Sequence, residues 1–245
     1  PMINVICVKW GTKYSASDVN RLKRNVERYL TIPHNFYCYT EDPTDLECDT
    51  ISIPPEHDLE IYWNKLAMFE DGFLEGTCLY FDIDVVIQNN IDNIFDYLSD
   101  NLTMIKAYWK GEDCITDGSS PKFKERWDMY CNSSTLLWTA GKTSHIWDRF
   151  WSDPEYYVMK YKGIDRFIFH EGFNPDFFPE GLMYSRLCGI SEENIGHAQR
   201  VRNKIKTKDL PYDELDLFYK EDALVCMFNG PTEDWMYNGF ESHYQ

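Results

Sequence analysis

Residues 77–87, TCLYFDIDVVI, form an unbroken apolar run interrupted only by Asp82 and Asp84. A run this rich in aromatic and β-branched residues predicts a buried strand, the strongest strand signal in the chain. Alternation along such a strand places both aspartates on one face, with Ile83 pointing the other way. Two bare carboxylates side by side repel and are costly to desolvate, so the pair favours a bound cation. Hard oxygen ligands suit Mn²⁺ or Mg²⁺, which complete their shells with substrate phosphates. The C-terminal ends of strands are also where open α/β sheets place ligands. The plainer alternative is an acidic triplet that caps the strand and faces water.

The segment before it sets the topology. Residues 3–10 (INVICVKW) read as a buried strand, and Ser15 to Asp18 as a helix-opening capping box. Val19, Leu22, Val26 and Tyr29 then make one apolar stripe, and a second strand is expected at 36–40. Strand, helix, strand in so short a span is a βαβ unit, hence a parallel sheet with a right-handed crossover. After a polar stretch at 41–60, helices are expected at 62–69, 91–98, 144–151 and 164–169, with strands at 102–109 and 134–139. Residues 110–121 read as a loop, and the chain beyond 171 as irregular. The fold class is α/β, a mixed and mostly parallel sheet flanked by helices.

At 245 residues the chain fits one domain, burying about 70–75% of its unfolded surface. A net charge of −17 excludes a sequence-independent grip on nucleic acid, so an anionic substrate needs local cations or a metal. Eight scattered cysteines without a C-x-x-C pair argue against zinc and redox sites. No apolar run is long enough to span a bilayer, and no signal peptide is legible, which leads to the expectation of a soluble cytoplasmic protein. Pro1 ahead of Met2 reads as a remnant of tag cleavage, with the native chain starting at Met2.

D-x-D-x-V after an apolar strand also resembles the motif of haloacid-dehalogenase-like phosphatases, whose first aspartate is a phosphoryl nucleophile. In those enzymes the motif sits on the first strand, whereas here a βαβ unit precedes it, and no convincing G-D-x-x-x-D follows.

The chain resembles more closely the glycogenin-like, family-8 type of GT-A glycosyltransferases. Leu79 to Ile87, followed by Asn90-Ile91-Asp92-Asn93-Ile94-Phe95, is similar to that family's metal motif and its trailing N-I-D-x-L-F. Asn64-Lys65-Leu66 resembles its T-K-L, Asn132-Ser133-Ser134 its N-S-G, and Gly163-Ile164-Asp165-Arg166 its G-D-Q region. The resemblance implies a GT-A domain over 1–245, with a nucleotide-binding half (2–100) and a sugar-donor and acceptor half (101–245). It implies a UDP-sugar donor, an unidentified acceptor, Mn²⁺ or Mg²⁺ on Asp82 and Asp84, and retention of configuration. The implied donor contacts are Lys9, Trp10, Tyr14, Thr40, Asp42, Lys65, Ile83, Asn132, Ser133 and Asp165, with Lys65 and Asp165 closest to the chemistry. Thr40 and Asp42 are explained equally well as a turn cap. Trp109, Trp127 and Tyr184 are candidates for a sugar-stacking wall.

Near the C-terminus the family shows H-F-x-G-x-x-K-P-W, where this chain has Met227-Phe228-Asn229-Gly230-Pro231-Thr232-Glu233-Asp234-Trp235. Met227 replaces a metal-binding His, and Glu233 a pyrophosphate-binding Lys. A thioether is a poor ligand for a hard ion, which leaves Asn229 or water for the third position. If those losses are decisive, the chain is a nucleotide-sugar-binding module without turnover.

Overall fold

The computed structural model describes residues 2–110, 130–194, 217–229 and 237–244. Trp127, Cys114, Glu233, a basic cluster read at 200–208 and residues 111–121 of the expected loop lie outside the described residues.

A seven-stranded sheet runs in the order β3-β2-β1-β4-β7-β6-β8. Its strands are β1 (Ile3–Lys9), β2 (Asn35–Thr40), β3 (Asp49–Ser52), β4 (Thr77–Phe81), β6 (Thr103–Lys106), β7 (Cys131–Thr139) and β8 (Asp176–Phe177). β1 pairs in parallel with β2 and β4, and β2 with β3. β7 runs antiparallel between β4 and β6, which makes the sheet mixed but mostly parallel, as expected. A smaller sheet joins β5 (Val86–Ile87), β10 (Val225–Met227) and β9 (Met183–Ser185).

Side-chain alternation divides the core into two layers. Val5, Cys7, Leu79 and Phe81 pack with helix α1 (Ala16–Tyr29) and the small sheet. Ile6, Cys78 and Tyr80 face the other way, onto the 3-10 helix Ile61–Phe69 and the helices α2 (Ser144–Trp151) and α4 (Ile164–His170). Helix α3 (Pro154–Lys160) opens on an Asp153 cap with Pro154 in its first turn.

The capping box before α1 forms in full: Ser15 Oγ accepts from Asp18 N, and the Asp18 carboxylate accepts from Ser15 N at 2.8 Å. Of the expected stripe Val19, Leu22 and Val26 are buried and Tyr29 is half-buried, and Asn25 is buried among them. Its Nδ2 donates to the carbonyls of Ile87 (2.8 Å) and His243 (2.9 Å), while its Oδ1 accepts from Ile87 N (2.7 Å). One amide thus ties α1 to β5 and to the C-terminal segment.

The His243 ring lies against Tyr29, with Nδ1 and the hydroxyl 2.5 Å apart. Burial, assisted by nearby Arg28, holds His243 below its ordinary 6.5. The unfolded chain therefore takes up the proton first as pH falls below about 6.5, and stability drops through that window. In His243→Gln, urea midpoints between about pH 7 and pH 5 should fall less than in the parent.

Several expected elements differ in detail. The helix at 62–69 is a 3-10 helix, and Trp63 to Phe69 are all buried, so the run has no polar stripe to favour an amphipathic α-helix. The helix at 91–98 is also 3-10 (Asp92–Tyr97). The strand at 134–139 begins at Cys131, which places Asn132, Ser133 and Ser134 within β7. β3 and α3 were not foreseen: β3 is a largely exposed edge strand without an apolar signature.

Gly76 sits where β1 and β4 begin to pair, at φ +87°; a Cβ there would lie 2.4 Å from the Met2 carbonyl oxygen. That carbonyl accepts from Thr77 N at 2.9 Å. Gly76→Ala should cost about 2–3 kcal/mol in urea unfolding, from left-handed backbone strain together with displacement of this contact.

Candidate active site

β4 ends at Phe81, and Asp82 N still donates to Ser134 O across to β7 at 2.9 Å. The chain then turns, with Val85 N donating to Asp82 O at 3.4 Å. Asp82, Ile83 and Asp84 are therefore not on a continuous strand, and pleat alternation does not align the acids. Instead the turn sends them to partners in opposite layers. Asp82 accepts from Tyr80 OH at 2.5 Å and pairs with Lys65 Nζ at 2.5 Å, both from the layer of the 3-10 helix. Asp84 lies beside the Tyr14 phenol, on the α1 side, and burial and then its charge raise that phenol's pKa. Ile83 is buried beneath the turn.

Both acids open onto a cleft of about 430 Å³, lined by Trp10, Lys13, Tyr14, Tyr62, Lys65 and Phe228 among others. A second cavity of about 240 Å³ holds Ser133, Ser134, Lys162, Gly163 and Asp165. The two share Tyr62, Lys65 and Asp82, so they are adjoining chambers of one site. The larger is aromatic and the smaller polar. At their junction Ile61 holds φ +51°, a costly conformation for a β-branched residue, and stays half exposed. The Asn64 side chain donates to the carbonyls of Leu59 and Ile61, both at 3.1 Å, and fixes this bend.

Electrostatics follow from the acid pair. Burial, then Asp84 and Asp82, push the Tyr14 phenol far up. Burial and Asp82 do the same to Tyr80, and burial and Asp84 to Tyr237. All three phenols stay protonated donors at neutral pH. Lys65 is nine-tenths buried, within 5.0 Å of the Tyr80 ring centre, and its Nζ also donates to Ser133 Oγ at 3.4 Å. Ser133 N in turn donates to Asp165 Oδ1 at 3.1 Å, so a chain of contacts runs from Asp82 to Asp165.

Of the residues singled out from sequence, the structure gathers Trp10, Tyr14, Lys65, Asp82, Ile83, Asp84, Ser133 and Asp165 around the two chambers. Asn132 lies behind them, its Oδ1 accepting from Ser134 N at 2.9 Å. Lys9, Thr40 and Asp42 stand at the ends of β1 and β2 but line neither chamber. Thr40 Oγ1 accepts from Asp42 N at 3.1 Å, and Asp42 Oδ1 from Thr44 N at 3.0 Å, which is the turn cap. Trp109 and Tyr184 are fully buried and cannot stack on a sugar. Met227 is core, paired in the small sheet.

Sequence reasoning missed Tyr80, Tyr62 and Tyr237. Tyr80 was within reach, two residues before Asp82 on the same face. Tyr237 OH donates to Asp84 O at 3.2 Å across 153 positions, a separation at which the sequence carries no local signal.

The donor set fits a hard divalent cation: two carboxylate side chains, oxygen only, line one open cleft, with a lysine beside one of them. Among the described residues no group of three or more His, Cys, Asp or Glu side chains gathers as a metal site. Asn229 follows Phe228, which lines the larger chamber, and its buried Oδ1 has no hydrogen-bond partner. No helix among the described residues is long and apolar enough to cross a membrane.

Neither protein-family profiles nor curated protein sequences match this chain. Solved structures do. The galactosyltransferase LgtC, in complex with donor and acceptor sugar analogs, superposes with a TM-score of 0.59 at 16% identity, over 98% of this chain and 93% of that one. An active-site variant of LgtC matches at 0.56 and 15%. The glycosyltransferase GlyE of Streptococcus pneumoniae matches at 0.60 and 12% over 95% of this chain, which spans only 56% of the GlyE chain. At these identities the likeness concerns architecture, and the architecture is clear: this chain has the GT-A glycosyltransferase fold.

Proposed function

We propose that this protein is a glycosyltransferase that moves a sugar from a nucleoside diphosphate donor, a UDP-sugar, to an acceptor hydroxyl, with Asp82 and Asp84 holding Mn²⁺ or Mg²⁺. The observation that carries this is the pair of adjoining chambers, one aromatic and one polar, meeting at Asp82 and Lys65. A nucleoside suits the first, where Trp10 and Tyr14 offer ring faces. A sugar suits the second, where Ser133, Ser134 and Asp165 offer polar groups.

When bound, the cation supplies charge neutralisation for the departing diphosphate. Lys65 adds a second positive charge at the chamber junction, placed to donate to a diphosphate oxygen as charge develops there. Asp165, held by Ser133 N, accepts from sugar hydroxyls and orients the ring; Asn132 stiffens the strand beneath through Ser134. The nucleoside contact expected from Thr40 and Asp42 is not part of this proposal, because both cap a turn outside the chambers. Lys9 is assigned no direct contact for the same reason. The division into a nucleotide half (2–100) and a sugar half (101–245) is kept as part of this proposal, with Tyr62, Lys65 and Asp82 bordering both chambers and Phe228 of the second half lining the larger. Retention of configuration rests on the family resemblance.

The test is calorimetry of UDP with and without Mn²⁺, followed by UDP release from a panel of UDP-sugars with simple sugar acceptors. Metal-dependent binding with turnover supports the proposal. Binding without turnover on any acceptor points to the non-catalytic module, and release of phosphate from an aryl phosphate without UDP binding to the phosphatase.

A further inference from the structure

The C-terminal segment, described from Tyr237 to Tyr244, starts against the turn that carries Asp84 and runs on to pack its last residues against α1. Tyr237 is where it touches that turn. Its hydroxyl donates to the Asp84 carbonyl at 3.2 Å, and its ring lies 5.0 Å from the ring of Phe228, a wall of the larger chamber. Its other face is covered by Arg21 of α1, whose guanidinium stands 4.3 Å from the ring centre. The same guanidinium stands 5.1 Å from the ring of Tyr244, so one cation bridges two aromatics of the segment. The anchor is completed by His243, whose carbonyl accepts from Asn25 and whose ring meets Tyr29.

This arrangement matters because Asp84 sits in a turn closed by one long hydrogen bond, Val85 N to Asp82 O at 3.4 Å. A hold on the backbone from outside the turn adds to that closure. Tyr237 holds the Asp84 carbonyl, and the Tyr14 phenol stands beside the Asp84 carboxylate. Restraining a ligand's backbone and bounding its side chain leaves its orientation little freedom.

We propose that Tyr237, clamped by Arg21, is a positioning residue that aims Asp84 at a divalent cation and its nucleotide, so that the C-terminal segment is a structural part of the donor site. The proposal rests on the metal and nucleotide reading of the cleft given above. Tyr237 touches neither the cation nor the substrate; it acts through the Asp84 backbone.

The experiment measures binding of Mn²⁺ with UDP by calorimetry and by the electron paramagnetic resonance spectrum of the bound ion, in the full chain. Tyr237→Phe keeps the ring against Arg21 and Phe228 and removes only the hydroxyl. Its Mn²⁺–UDP affinity should fall about 10-fold, with a broadened Mn²⁺ spectrum and a melting temperature in the absence of metal close to the parent's. Arg21→Met, which loosens the clamp and leaves Tyr237 intact, should lower affinity in the same direction by a smaller factor. Tyr244→Phe is the control: it retains the ring over Arg21 and deletes a buried hydroxyl that has no hydrogen-bond partner among the described residues, so it should bind as the parent does. Parent-like affinity and spectrum in Tyr237→Phe overturn the positioning role while leaving the function intact. A parent protein that binds no Mn²⁺–UDP at all overturns the functional reading, and this proposal with it. Should Tyr237→Phe melt early, the Mn²⁺ spectrum recorded well below its midpoint decides: an unchanged spectrum rejects the role and a broadened one supports it.

Discussion

Asp84→Asn should abolish detectable Mn²⁺-dependent UDP binding and lower transfer by about 100- to 1,000-fold, the scale of losing one preorganised charge contact at a reacting centre. The fold should survive. Removing one of two neighbouring like charges relieves repulsion, so the melting temperature without metal should hold or rise. Calorimetry with Mn²⁺ and UDP, paired with a thermal melt, separates the two effects. An Asp84→Asn protein that binds Mn²⁺–UDP normally would remove the acid pair from the site.

Lys65→Met should damage both stability and activity. It leaves Asp82 with Tyr80 as its side-chain partner among the described residues, in a position where the acid is only a quarter exposed. Stripping one member from a buried pair costs about 3–5 kcal/mol, and the partial exposure of Asp82 brings the expectation to roughly 2 kcal/mol. Transfer should drop about 100-fold as the lysine charge is lost from the diphosphate. A distinguishing sign lies in the metal response: because a cation would neutralise the stranded Asp82, Mn²⁺ should raise the melting temperature more in Lys65→Met than in the parent. In the double variant with Asp82→Asn, most of the lost stability should return, since no unpaired charge remains. Equal sensitivity of Lys65→Met and the parent to Mn²⁺, or no recovery in the double, would show that Lys65 and Asp82 are not coupled.

The regular parts of the fold were readable because their causes are local. The Ser15 capping box, the Val19-Leu22-Val26 stripe and the apolar strands around it each announce themselves within a few residues. β3 escaped because an exposed edge strand carries no apolar periodicity, and α3 because a short helix opening on Asp153 and Pro154 looks like a turn. Reading Trp109 and Tyr184 as a stacking wall failed for a related reason: an aromatic in a list of residues says nothing of whether water reaches it.

Sequence alone was sufficient for the layered α/β architecture, the parallel β1–β2 pairing, and the acid pair at a strand end. These follow from side-chain periodicity and from the scarcity of charges in apolar runs. Tertiary structure alone decided that the acids lie on a turn, taking partners from opposite layers, and that Lys65 reaches Asp82. It also decided that Asp165 is held by Ser133 and that Tyr237 pins Asp84 from the far end of the chain. Such contacts join residues brought together by packing of the whole sheet, and hydrogen bonds a few ångströms long cannot be inferred from patterns that extend only a few residues along the chain.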